Sequence, residues 1–216
     1  MRASVQTVAV PEPRPSVEDT GGLPTSRTDD LTAALDAARR GDEAGFVTLY
    51  REFQPRLLRY ATVLIGRESA EDATAEAWLH ICRDLYRFTG DVDRFRGWTA
   101  TIVHHRAMDV CRAAARRPPP APAQDDERDD PHGVADTEAS ALEALSTELA
   151  LEVIATLPRE QAQAVLLRAV VGLDAQTAGE VLGKRAGAVR VAAHRGLKRL
   201  ARQVRYHPDE GRWTLV

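Results

Sequence analysis

The chain has 216 residues, 44% of them hydrophobic and 5% aromatic, with a formal net charge of -3 at pH 7. That length supports one larger domain or two small ones. No apolar stretch approaches the roughly 18 residues needed to span a bilayer, and the first residues lack the apolar core of a secretory signal, so a cytoplasmic chain without membrane insertion is expected. Cys82 and Cys111 are the only cysteines, too few for a disulfide framework, and are expected to be reduced.

The small net charge conceals a segregation. From Gly183 to Arg205 there are eight Lys or Arg and no Asp or Glu, whereas from Pro118 to Glu152 there are ten Asp or Glu and one Arg. Attraction to phosphate is local, screened within about 10 Å at moderate salt, so a block of one sign decides more than the sum.

Residues 1–28 carry four prolines and few large apolar side chains, and are predicted to be a disordered extension. From Asp30 helical spacing sets in, with Phe46, Leu49, Tyr50, Phe53, Leu57, Ala61 and Leu64 recurring every three or four residues. Pro55 is expected to break or kink that run. A further helix is predicted from Ser69, capped with Asp72, burying Ala73, Ala77, Trp78, Ile81 and Leu85 and presenting an acidic opposite face. A loop with Gly90, Asp91 and Asp93 leads to a basic helix over about Arg96 to Arg116, stopped by Pro118, Pro119 and Pro120. The Pro- and Asp-rich stretch 118–137 has almost nothing to bury and repels itself, which marks it as a flexible acidic linker and a domain boundary.

Beyond the linker a helix is predicted around residues 138–156, then one introduced by Pro158 that carries Ala162, Val165, Leu166, Ala169 and Val170 and stops at Gly172. Asp174 can cap a helix over Ala175 to Leu182, Gly183 permits a tight turn, and a longer helix follows from about Ala186 to Arg202. This is helix-turn-helix spacing. On the last helix Val189, Ala193, Gly196 and Leu200 share one face, while Arg190, His194 and Lys198 share another, flanked by Arg195 and Arg199. One face packs and the other fits a major groove. A merely solvated basic surface is the plainer alternative, but ordinary helix surfaces mix signs to gain pairing between neighbours. The tail 206–216 is short, and no run of alternating β-formers suggests a strand.

Taken in order, the strings FVTLYREF, SAEDATAEAWL, FRGWTATIVHHRAMDVCR, LPREQAQAVLLRAVVGLDAQTAGEVLG and GAVRVAAHRGLKRL resemble the extracytoplasmic-function sigma factors of RNA polymerase. The resemblance covers roughly residues 42–117 and 148–203. It implies an all-α chain of two small helical domains, a region 2 bundle at 29–117 and a region 4 helix-turn-helix at 138–205. The first would bind core polymerase and read and open the minus-ten element; the second would read the minus-thirty-five element. The linker in this family threads the polymerase RNA path.

Residue by residue, the resemblance implies core-polymerase contacts at Glu71, Asp72 and Glu76. Carboxylates so early in a helix also stabilise its positive end, by about 0.3–1 kcal/mol. Ala75 stands where the family often has Gln. For the minus-ten element it implies Arg94, Arg96, His105, Arg106, Asp109 and Arg112, with the loop from Arg87 to Arg94 as a pocket for a base turned out of the stack. Phe88, Phe95 and Trp98 are the aromatics nearby, Trp98 being expected in the core. His105 replaces a common Asn. For the minus-thirty-five element it implies Lys184, Arg185, Arg190, His194, Arg195 and Lys198, while Val191 and Ala192 replace a common Ser and Arg. Implied partners are core RNA polymerase, promoter DNA and an anti-sigma protein, with the free chain monomeric and no cofactor or metal.

The residues offer no catalytic constellation of nucleophile, base and orienting group. His104, Met108 and Cys111 fall at helical spacing, but a zinc site usually takes four matched ligands, so they read as a helix face. The rival readings are a conventional helix-turn-helix regulator that binds duplex DNA unaided, and an adaptor that docks on polymerase without choosing promoters. The charge blocks further suggest that the linker, with Asp125, Asp126, Asp129 and Asp130, lies over the basic last helix and suppresses DNA binding.

Overall fold

The computed structural model describes residues 27–116, 138–207 and 212–215, with side chains placed over 27–116 and 147–203. The expectations for residues 1–26 and for the acidic linker and its carboxylates fall outside the described residues.

Helix α1 (Arg27–Arg39) starts two residues inside the segment expected to be disordered, held by an ion pair from Arg27 to Glu52. Helix α2 (Glu43–Ile65) is capped by Asp42, whose carboxylate accepts the Gly45 N–H. It runs through Pro55 without ending, contrary to the expected break. Its inner face, with Leu49, Phe53, Leu57, Tyr60 and Ala61 all buried on both sides of the proline, holds the helix together across the missing N–H.

Helix α3 (Arg67–Asp84) begins before Ser69, because Gly66, at φ 78°, closes α2 with its N–H on the Thr62 carbonyl and starts the next helix at once. A side chain would be strained at that φ. A short 3₁₀ turn, Leu85–Arg87, leads to α4 (Val92–Arg116). Helix α4 starts four residues before the expected Arg96, since Asp91, read as loop, accepts the Arg94 N–H at 2.8 Å and its carbonyl accepts that of Phe95 at 2.9 Å. Helices α1 to α4 pack around Leu35, Phe53, Tyr60, Ile81, Phe95 and Val103, all at most 1% exposed.

Helix α5 (Glu138–Ala155) precedes α6 (Arg159–Val165), which Pro158 introduces and which widens into a π turn over Leu166–Val170. Helix α7 (Ala175–Leu182) is capped by Asp174, which accepts the N–H groups of Gln176 and Thr177 at 2.7 and 2.8 Å. Gly183, at φ 63° and ψ 33°, makes the left-handed turn into α8 (Ala186–Gln203). Val165, Leu166, Leu167, Ala178, Val181 and Val189 form the core of this second bundle.

Strands β1 (Val204–His207) and β2 (Arg212–Leu215) pair antiparallel, Tyr206 opposite Trp213, where no strand was expected. Four-residue strands are too short for alternation to declare itself against the preceding helix. The all-helical build of the two domains stands.

The domains touch. Thr177 of α7 lies so close to Gly97 of α4 that a Cβ at position 97 would stand 2.5 Å from its methyl carbon. The Arg159 guanidinium of α6 donates to the Met108 sulfur of α4 at 2.8 Å.

Candidate nucleic-acid interface

Successive residues of a helix are turned by about 100°, so an exposed stripe follows from spacing alone. On α4, Arg94, Trp98, His105, Asp109 and Arg112 fall on one side and reach solvent, wholly or, for Trp98, in part. Arg96 lies nearly opposite Arg94. Only 20% of its side chain is exposed, its Nη1 donates to Asp93 at 2.7 Å, it stands over the Phe53 ring at 5.7 Å, and its Nε is buried without a partner. Arg106 is also turned from the stripe and faces Glu76 of α3 at 3.6 Å. The structure thus brings together four of the six expected minus-ten residues and gives Arg96 and Arg106 other neighbours.

The loop before α4 bounds a crevice of about 700 Å³ lined by Arg87, Phe88, Asp91, Arg94 and Trp98. Trp98 is not a core residue as expected. It is half-buried and stacks on Phe88, ring centroids 5.0 Å apart and planes 25° from parallel. Phe95 is the core ring of the three, edge-on to Phe53 at 5.4 Å. Thr177 and Glu180 of α7 line its far side.

Glu71, Asp72 and Glu76 are exposed on α3. Glu71 pairs with Arg67 at 3.4 Å and Glu76 with Arg106. Below Asp72 and Glu76 the same side continues through Leu79, 73% exposed, to Tyr86, 63% exposed on the 3₁₀ turn. These two apolar side chains were missed. The position of Leu79 was legible, since it falls opposite the buried line of Ala73, Ala77, Trp78 and Ile81 on the helix.

Helix α8 turns Val189, Ala193 and Gly196 inward, and a Cβ at Gly196 would meet the Val165 methyl at 2.7 Å. All six expected minus-thirty-five residues are exposed. Lys184 bonds Glu160 at 2.6 Å; Arg185, Arg190, Arg195, Lys198 and Arg199 form no ion pair with another described residue. The Lys184 partner was not foreseen, because Glu160 comes from α6 and reaches it only through the fold.

His104, turned about 100° around α4 from His105, is 8% exposed and shares a 2.7 Å hydrogen bond with the buried Tyr60 hydroxyl. Burial first, then the positive charge of His105, Arg159 and Arg112, lowers its pKa to about 4. Burial likewise pushes the Tyr60 phenol up. Among the described residues no group of His, Cys, Asp and Glu could hold a metal ion.

Two helical bundles, each with an outward stripe carrying cations and the second built as a helix-turn-helix, have the build of a nucleic-acid-binding protein. The Sigma-70 region 2 family matches residues 49–117, and the Sigma-70, region 4 family matches residues 147–200. The ECF RNA polymerase sigma factor ShbA of Streptomyces griseus is 32% identical over 183 residues, 80% of this chain and 96% of that protein. SigD of Mycobacterium tuberculosis is 31% identical over 186 residues, 83% of this chain and 86% of that one. The solved structure of CnrH with the cytosolic domain of CnrY has the same fold, with a TM-score of 0.55 at 20% identity over 81% of this chain and 96% of that chain. The chain belongs to the ECF sigma factors, the RNA polymerase subunits that direct transcription initiation. The reading as a conventional regulator is not favoured by these likenesses.

Proposed function

We propose that this chain holds core polymerase through the α3 surface of Glu71, Asp72, Glu76, Leu79 and Tyr86, and reads promoters at two elements. Residues 29–117 act as the core-binding and minus-ten domain, 118–137 as the linker and 138–205 as the minus-thirty-five domain. The observation that carries this reading is that the expected upstream contacts are all exposed, on α8 and on the turn before it, and that their cations, Lys184 apart, have no carboxylate partner among the described residues. Such a surface attracts phosphate strongly and leaves its donors available for base edges.

At the minus-ten element, Arg94, His105, Asp109 and Arg112 supply the exposed stripe, and the Phe88–Trp98 stack offers an aromatic platform for an unpaired base. Base stacking on such a ring is worth about 1–3 kcal/mol. Arg96 instead serves the fold, buttressing Phe53. Thr177 and Glu180 of α7 line the same crevice, so a base seated there would lie beside the second domain.

The protein performs no chemistry of its own, works in the cytoplasm, is a monomer when free and uses no cofactor. An anti-sigma protein is a further partner. The solved relative CnrH is held by the cytosolic domain of CnrY.

The test is transcription in vitro with core polymerase over a genomic promoter library. Specific initiation dependent on the added chain is expected, together with no occupancy of duplex DNA by the chain alone. An absence of specific starts, or tight binding to operators without polymerase, would overturn the reading. Arg190→Ala should weaken use of the upstream element by about 1–3 kcal/mol if the contact is to a base.

A further inference from the structure

The centre of the outward face of α8 is not charged. Measured at about 100° per residue from the buried line of Val189, Ala193 and Gly196, the side chain turned most directly outward in the N-terminal half is Val191. It is 50% exposed. Gly187 lies one turn before it, with nothing within 4 Å of where a Cβ would stand, and Ala188 and Ala192 flank it with single methyls. Arg190, His194, Arg195 and Lys198, all exposed, surround this apolar point.

The N-terminal part of a recognition helix is the part that meets base edges. Set into a major groove by the cations around it, α8 would press Val191 against base edges over a backbone that the bare Gly187 lets approach. A branched hydrocarbon can accept no hydrogen bond and would strand any donor or acceptor it covered. The major-groove edge offers one apolar group, the thymine 5-methyl.

We infer that Val191 is a specificity residue of the upstream element and packs against the 5-methyl group of a thymine. The inference rests on the reading of α8 as the upstream reader. It extends that reading from polar contacts to an apolar one.

The experiment uses the holoenzyme on a promoter it initiates from, with each upstream thymine replaced in turn by deoxyuridine. This removes one methyl and leaves every hydrogen-bonding group in place. One position should lose about fourfold in holoenzyme binding, the size expected for one methyl leaving an apolar contact. With Val191→Ala, the same replacement should lose less than twofold, since the contact is already gone. The DNA substitution leaves the protein untouched, so folding cannot account for the result, and circular dichroism of Val191→Ala checks the variant. An upstream element without a methyl-sensitive thymine, while Arg190→Ala still weakens it, overturns the inference and leaves the reading of α8 intact. Holoenzyme that starts nowhere specifically overturns both. If Val191→Ala weakens capture of core polymerase and no deoxyuridine effect is seen, the residue faces protein and the inference falls.

Discussion

Along α4, Arg96 pairs with Asp93, Arg106 with Glu76 and Arg112 with Asp109, the carboxylates coming from its own helix or from α3 beside it. Along α8, Arg190, Arg195, Lys198 and Arg199 have no such partner among the described residues. Both helices are basic in composition, but three of the five arginines of α4 are paired, leaving Arg94 and Arg116 without an ion pair among the described residues, whereas on α8 the cations as a group stay unpaired. A cation already paired must give up a carboxylate before it gains a phosphate, so its net contribution to DNA attraction is small. Helix α4 is therefore equipped to hold shape around an aromatic platform, and α8 to attract the duplex. The difference also explains a chain of net charge -3 binding nucleic acid: the charge that matters is the charge left unpaired.

If α4 works through shape, its packing should matter more than that of α8. Phe95 backs the α4 stripe, fully buried against Phe53, Phe88 and Trp98. Phe95→Ala should cost about 3–5 kcal/mol in urea unfolding. Val189→Ala, at the corresponding inner position of α8, removes two carbons and should cost about 1.5–2 kcal/mol. Equal costs would break the comparison. It is sharpened by salt: for the holoenzyme on its promoter, Lys198→Ala should lower the slope of log K against log salt by about one. Arg112→Ala should lower it by less than half as much, because the Asp109 carboxylate already occupies that guanidinium and leaves less of it for a phosphate. A full unit lost at Arg112 would show that the α4 pairs open in the complex.

Helix-turn-helix geometry was legible in the sequence because its determinants are local. Asp174 as cap, Gly183 as left-handed turn and the spacing of Val189, Ala193 and Gly196 each act within a few residues. The outward side of α8 follows from that spacing. What escaped depends on neighbours distant in the chain. Arg96 joined its basic neighbours by proximity in sequence, whereas the Phe53 ring, contributed by α2, gives it a place inside. Trp98 was expected in the core on its residue type, but Phe95 fills that space and leaves Trp98 to stack on Phe88 at the edge. That Thr177 lines the crevice depends on the docking of one domain on the other, and no local pattern encodes that.

The cap that starts the helix-turn-helix offers a smaller effect. Asp174 accepts two backbone N–H groups, that of Thr177 counting most, and they hold its pKa below the usual carboxylate range. A carboxylate with a lowered native pKa stabilises the fold fully above its unfolded value, near 4, and loses that contribution as pH falls through the native value. Asp174→Ala should therefore cost about 1 kcal/mol near neutral pH. The gap between variant and parent should close in acid. A gap independent of pH would mean that the cap works through shape and not through its charge.

The smallest effect probes whether the two regions stay docked in the free chain. His104 belongs to α4, yet part of what depresses its pKa to about 4, after burial and the charge of His105, is Arg159 of α6, whose guanidinium also reaches Met108. A histidine whose native pKa lies below its unfolded value near 6.5 favours the unfolded chain as protons become available, so stability should fall as pH drops from 6.5 towards 4. His104→Gln, which cannot titrate, should flatten unfolding free energy over that window. Arg159→Ala removes a positive charge from the second domain, and should raise the His104 pKa followed by NMR in the free protein. The direction is fixed by the docked geometry alone. Were the domains apart in solution, Arg159 would be remote from His104 and the substitution would leave its titration unmoved.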